Sequence, residues 1–270
     1  MTPYLELIAV QYLLVSLAVS LVMMFSTTSA TELKRPEVTG CFTEWPPYTS
    51  TRKEEPYGIS IDLMKAAADR AGIAVALYPL PWKRCLILVE TGELDFAMDS
   101  LPREGFIQGQ TPSALYTQAF WVRNNDPLNR FTGFDALTGK RLGLFKGYLY
   151  PDDILQAGFA LIEWIDSELT AAKMIAANRL DLTFADVAVM QTVLSDNDIQ
   201  LKMLTPVYQT QRLYPAFLPA NQVIMDQMDK ALAELYEDGT VDTIYQTHVQ
   251  QTFQTFNQLD ETFKLVDTQP

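Results

Sequence analysis

The 270-residue chain holds one histidine, His248, and two cysteines, Cys41 and Cys85. A Ser-His-Asp or Cys-His arrangement would have to use His248, whose neighbours Thr247 and Val249 resemble no nucleophile elbow. Metal sites of the Cys/His type need more ligands than these three residues supply. No glycine-rich phosphate loop or dinucleotide fingerprint is present. The 33 Asp and Glu residues permit paired-carboxylate chemistry, but no spacing singles out a pair. Binding is therefore expected ahead of catalysis, with no catalytic residue, no metal and no cofactor. The groups suited to a small polar molecule are polar or aromatic side chains at predicted strand ends: Glu44, Tyr48, Asp99, Ser100, Tyr116 and Tyr148. Trp45 adds a large ring beside Pro46 and Pro47, where a loop pocket explains it better than core packing does.

The elements that must position these residues alternate. Val38 to Phe42 reads as a strand, ended by the two prolines. Ile59, Leu63, Met64, Ala67 and Ala71 follow helical spacing, with Gly72 as the stop. Ile73 to Tyr78 is β-rich, Trp82 to Thr91 helical, and Leu94 to Met98 a strand. This β-α-β-α-β order predicts a mostly parallel sheet with helices on its faces. The order returns with strands at Arg141–Phe145, Ala160–Ile165 and Leu182–Ala185, and with helices opening at Pro151, Ser167 and Val187. Gly92-Glu93-Leu94-Asp95-Phe96-Ala97 and Asn178-Arg179-Leu180-Asp181-Leu182-Thr183 each follow a helix, as if one supersecondary unit were used twice. Two such units favour two lobes, with a ligand between the carboxyl ends of their strands. The crossings are placed at Tyr116–Arg130 and Leu204–Tyr214, followed by a strand at Leu213–Leu218 and an amphipathic helix at Met225–Tyr236. The tail from His248 to Pro270 has Phe253, Phe256, Leu259 and Phe263 at roughly helical spacing, open between a docked helix and a loose end.

The net charge of −13, with no Lys/Arg run, excludes nucleic acid as a partner. The run Ile8–Phe25 is almost wholly apolar and leads to Ser26-Thr27-Thr28-Ser29-Ala30, so 1–30 reads as a signal peptide cleaved after Ala30. An uncleaved membrane anchor is the alternative, since the leader carries Glu6 and no Lys or Arg before its apolar run. In an exported chain Cys41 and Cys85 suggest a disulfide, with two buried thiols as the alternative.

Trp45-Pro46-Pro47-Tyr48, Gly58-x-x-x-Asp62-Leu63, Pro81-Trp82-x-Arg84, Gly92-Glu93-Leu94-Asp95, Lys146-Gly147-Tyr148, Ala185-Asp186 and Leu232-x-x-Leu235-Tyr236-x-Asp238-Gly239-Thr240 together resemble bacterial extracellular solute-binding proteins of family 3, over about Pro36 to Gln250. The resemblance implies an α/β, periplasmic-binding-protein-like type II fold, with two lobes joined by two crossing segments around a ligand cleft. Lobe 1 would comprise 36–123 and 213–250, lobe 2 124–212, and 251–270 a C-terminal tail. The resemblance also implies a periplasmic monomer that captures an amino acid or related polar molecule and delivers it to an ABC importer. Trp45 and Trp82 match the family's ligand-stacking aromatics. Arg103 is the candidate for a ligand carboxylate, although its segment departs from the family's Thr-x-x-Arg. Asp186 matches the aspartate for the ligand's amine, and it also suits a helix N-cap before Val187.

Two other classes stay open. One is a dehydratase-like enzyme on the same scaffold, using Glu44 or Asp99 as acid or base. The other is a sensing module read by a different membrane partner.

Overall fold

The computed structural model describes residues 35–146, 148, 150–257 and 264–265. The predicted signal peptide, Gly147 of the Lys-Gly-Tyr motif, and Leu259 and Phe263 of the tail lie outside them. Among the described residues no helix is long and apolar enough to cross a membrane.

The first half opens with β1 (Glu37–Phe42), a short hairpin of β2 (Ser50–Arg52) and β3 (Glu55–Tyr57), and helix α1 (Ile59–Ala71). It continues through β4 (Ala74–Pro79), α2 (Trp82–Glu90), β5 (Phe96–Ser100) and β6 (Ile107–Gln108). β4, β1 and β5 are parallel neighbours, as the alternating order requires. Buried runs such as Phe96-Ala97-Met98 suit strands covered on both faces. Helix α1 stops at Gly72, whose φ of 70° lies in the left-handed region. Cys41 of β1 and Cys85 of α2 form a disulfide with Cα atoms 5.6 Å apart, in a cluster with Leu86, Val89 and Ala97. Gly40 is a place of close approach, because an added Cβ would stand 2.4 Å from the Phe96 ring on the neighbouring strand.

The chain then crosses on the ten-residue β7 (Ala114–Arg123). The second half holds β8 (Arg141–Phe145), the single-turn α3 (Asp152–Leu155), β9 (Leu161–Ile165), α4 (Glu168–Ala176), β10 (Leu182–Asp186), α5 (Val187–Asn197) and β11 (Leu201–Met203). β9, β8 and β10 are parallel, and β7 lies antiparallel to β10. The chain returns on β12 (Gln209–Phe217). The first half of β12 pairs with β7 and its second half with β5, so one strand stitches both sheets into the order β4-β1-β5-β12-β7-β10-β8-β9. The two sheets are the two lobes.

The repeated sequence unit does the same work in each lobe. Asp95 Oδ2 accepts from Thr39 N (2.7 Å) and Oγ1 (2.8 Å), tying the approach to β5 onto β1. Asp181 Oδ2 accepts from Arg141 N (2.8 Å) and Nε (3.0 Å), tying the approach to β10 onto β8. The Arg141 guanidinium holds the Asp181 carboxyl well below the usual carboxylate range. Gly92 and Asn178, which end the preceding helices, both have positive φ (75° and 58°).

The C-terminal part forms α6 (Gln222–Glu237), α7 (Thr240–Val249) and α8 (Phe253–Asn257), with β13 (Lys264–Leu265) paired to Gln209 and Thr210 of β12. Gly239, read from the sequence as a stop, has φ 83° and caps α7 at the junction with α6. His248 serves a structural tie: its Nε2 lies 2.7 Å from Asp62 Oδ2 of α1, and its ring packs on Tyr57. Phe253 packs against Tyr236 and Tyr245, and Phe256 is buried, so this part of the tail is docked.

Candidate ligand cleft

Trp45 and Tyr48 are held by the turn that leaves β1. Tyr48 N and Thr49 N both donate to the Trp45 carbonyl (3.0 and 3.1 Å), and the Pro46–Pro47 peptide is cis. The first free amides of α1 complete the turn: Ile59 N donates to Pro47 O and Ser60 N to Tyr48 O, each at 3.0 Å. Gly58 makes this approach possible, since its φ is +134° and an added Cβ would stand 2.3 Å from Tyr48 O. The Trp45 and Tyr48 rings stack with centroids 4.4 Å apart, and Tyr116 of β7 meets Trp45 edge-on at 5.5 Å.

Asp186 reaches the same place from the other lobe. It ends β10, and its Oδ1 accepts from Val189 N at 2.9 Å, capping α5. The Tyr48 hydroxyl donates to Leu115 O at 2.6 Å and stands 3.4 Å from both Asp186 oxygens. Asp186 is only 5% exposed, and burial pushes its carboxyl up to about 8. Burial, together with Asp186, holds the Tyr48 and Tyr116 hydroxyls well above their ordinary value. Tyr148, on the loop after β8, donates to Glu168 Oε1 at 3.3 Å, and its hydroxyl is raised by burial and then by Glu168 and Asp186. Behind Tyr48, Asp99 has φ 50° and accepts from the Ser113 hydroxyl at 2.6 Å. Burial raises the Asp99 carboxyl to about 6, against the lowering effect of hydrogen bonds from the Ser113 and Ser60 hydroxyls.

The structure therefore brings Trp45, Tyr48, Tyr116, Tyr148 and Asp186 into one constellation drawn from both lobes and a crossing strand. Trp82 and Arg103 form a different group. The guanidinium of exposed Arg103 lies over the Trp82 ring at 5.9 Å, while Trp82 leans on the disulfide cluster. Arg103 also lines a cavity of about 540 Å³ with Phe106, Gln108, Tyr214 and Met225. Ser100 is buried and donates to Leu101 O at 2.8 Å. Glu44 is exposed and accepts from Thr51 Oγ1 at 2.6 Å, turned toward the hairpin. Gln118, Gln209, Ser113, Glu168 and Tyr245 were not singled out from the sequence. Gln118 donates to Tyr116 Oη at 2.7 Å and accepts from Gln209. A polar residue inside an apolar strand, as Gln118 is in β7, was the signal available for it.

Two α/β lobes, two crossing strands and polar groups gathered at the strand ends define a protein of the periplasmic-binding type, with the fold of the structures it matches. A probable amino-acid ABC transporter extracellular-binding protein, YtmK from Bacillus subtilis, superimposes with a TM-score of 0.70 at 17% identity, over 80% of this chain and 98% of that one. The L-cystine solute receptor of Neisseria gonorrhoeae, in an unliganded open conformation, gives 0.67 at 17% identity, over 81% and 94%. Residues 38–251 match the bacterial extracellular solute-binding proteins, family 3, and the chain belongs to that family. The L-cystine-binding protein TcyA of Bacillus subtilis (strain 168) is 30% identical over 190 residues, covering 69% of this chain and 70% of that protein. These relatives are solute receptors.

Proposed function

We propose that this protein captures one small polar solute of the amino-acid class in the cleft between its lobes and hands it to an ABC importer, without turning it over. The lobes in this reading are 36–123 with 213–250, and 124–212. The protein acts as a periplasmic monomer after loss of residues 1–30. One observation carries the reading: Tyr48 and Asp186, 138 positions apart and in different lobes, meet within 3.4 Å at the strand ends of both sheets. Contacts that exist only when the lobes meet are what lets a ligand favour the closed state. Trp45, Tyr48, Tyr116, Tyr148 and Asp186 form the site. Family membership and the named relatives support the solute class.

The test is a thermal-shift screen of residues 31–270 against amino acids, diamines, organic acids, peptides and sugars. A ligand at a hundred times its Kd adds about 2.7 kcal/mol of stability, a shift of a few degrees for a chain of this size. A shift with one solute, with that solute recovered unchanged after incubation, is the expected result. Conversion of the solute would replace this reading with the enzyme.

A further inference from the structure

We infer that Gln118 and Gln209, one on each crossing strand, are positioning residues that hold the Tyr116 hydroxyl as a hydrogen-bond donor toward the solute, so that the cleft reads an acceptor oxygen on its ligand through Tyr116. The inference rests on the solute-binding reading above and deepens it.

Tyr48, Tyr116 and Tyr148 commit their hydroxyl protons differently. Tyr48 gives its proton to Leu115 O at 2.6 Å, and Tyr148 gives its proton to Glu168 Oε1 at 3.3 Å. Tyr116 instead accepts, from Gln118 Nε2 at 2.7 Å, and among the described residues it donates to none. A hydroxyl has one proton and two acceptor lone pairs, so the Tyr116 proton is left for a group that enters the cleft. The ring is placed for this: it is only partly buried and meets Trp45 edge-on at 5.5 Å. Arg103, the donor expected from the sequence for a ligand oxygen, lies over Trp82 instead.

Gln209 sets the direction of the bond to Tyr116. Gln118 and Gln209 are register partners on β7 and β12, and Asp186 is the partner of Gln118 on β10, so the three share one face of the sheet. Tyr116, two residues before Gln118, lies on that face too. Gln209 Nε2 donates to Gln118 Oε1. With its oxygen held in this way, the Gln118 amide turns its NH2 group to Tyr116. Released from Gln209, it would be free to turn over and take the Tyr116 proton for itself. Fastening the strands does not explain the pair. The backbone ladder already joins β7 to β12, and the Thr117 and Thr210 hydroxyls meet at 3.2 Å on the opposite face. Both glutamines are buried, at 2% and 5% exposure, and a buried amide pair holds two strands together no better than an apolar pair of the same size. An apolar pair lacks direction, and direction is what Tyr116 receives.

Isothermal titration of the purified protein with L-cystine and the twenty common amino acids selects the tightest-binding probe; should none bind, the tightest compound of the wider screen serves. Tyr116→Phe should weaken that probe about tenfold, the loss of one hydrogen bond to a charged acceptor. Gln118→Met and Gln209→Met, close to glutamine in volume, should each weaken it at least threefold, although Gln209 bonds to Gln118 and not to Tyr116. In a Tyr116→Phe background neither should weaken it further by more than twofold. A merely structural role would give the same loss in both backgrounds, and that result would overturn the inference. Circular dichroism and melting without the probe check each fold, and Gln209→Met carries the cycle if Gln118→Met does not fold. Wild-type affinity in Tyr116→Phe, or in both methionine variants, would overturn the inference and leave the solute-binding reading standing. Binding of nothing in the titration or the wider screen would overturn both.

Discussion

Replacing Asp186 with asparagine should change how stability depends on pH. The folded protein holds this carboxyl at about 8, against 3.8 for the free group. Between those values the folded state keeps a proton that the unfolded chain has released. Stability therefore falls as pH rises from about 4 to 8, and the full penalty is present above 8. At about 1.4 kcal/mol per pH unit, the penalty is up to about 6 kcal/mol. Tyr48 and Tyr116 face the carboxyl, and Tyr148 and Tyr245 also interact with it electrostatically; all four are pushed up, away from this window. Glu168 is the neighbouring carboxylate that adds to the penalty. Asp99, raised to about 6, contributes a second decline of up to about 3 kcal/mol between pH 4 and 6. The asparagine side chain carries no charge and can still accept from Val189 N, so only the Asp99 part should remain in the variant. Urea unfolding at pH 5, 7 and 9 measures this. The variant should gain on the wild type by several kcal/mol between pH 5 and pH 9. Parallel stability curves for the two proteins would refute the assignment of a sealed, unpaired carboxyl.

Gly58→Ala should destabilise by about 2–4 kcal/mol and disturb tryptophan fluorescence, because the new methyl would stand 2.3 Å from the Tyr48 carbonyl at a φ of +134°; denaturation with fluorescence detection reads both. Reducing the Cys41–Cys85 bond, which closes a 44-residue separation, should lower stability by about 4 kcal/mol, measured by unfolding with and without a reductant. Asp95→Ala and Asp181→Ala should each cost about 1–3 kcal/mol, by leaving the Thr39 and Arg141 amides without their carboxylate. Hydrogen exchange should then localise each loss to β1 or to β8, and equal effects on both lobes would count against the repeated-unit reading.

What the sequence determined by itself was local and periodic. Helix α1 was legible because its apolar stripe and Gly72 are set by neighbours along the chain. The Leu-Asp unit was legible because it occurs twice, and the structure shows both aspartates clasping the first strand of their lobe. Trp45 stood out because its two prolines remove it from the ladder. Other features were decided only by tertiary structure. Helix α7 was not read, and α8 was left open, because their apolar residues gain meaning only against α1 and α6, which come from other parts of the chain. The grouping of Asp186 with Tyr48 rather than with Arg103 depends on how β7 and β12 join the sheets, and strand pairing across 90 or so positions leaves no local trace. The upward shift of the Asp186 and Asp99 carboxyls is likewise a property of the assembled fold. Burial of a charge is the summed effect of residues from both lobes, and spacing along the chain carries no record of that sum.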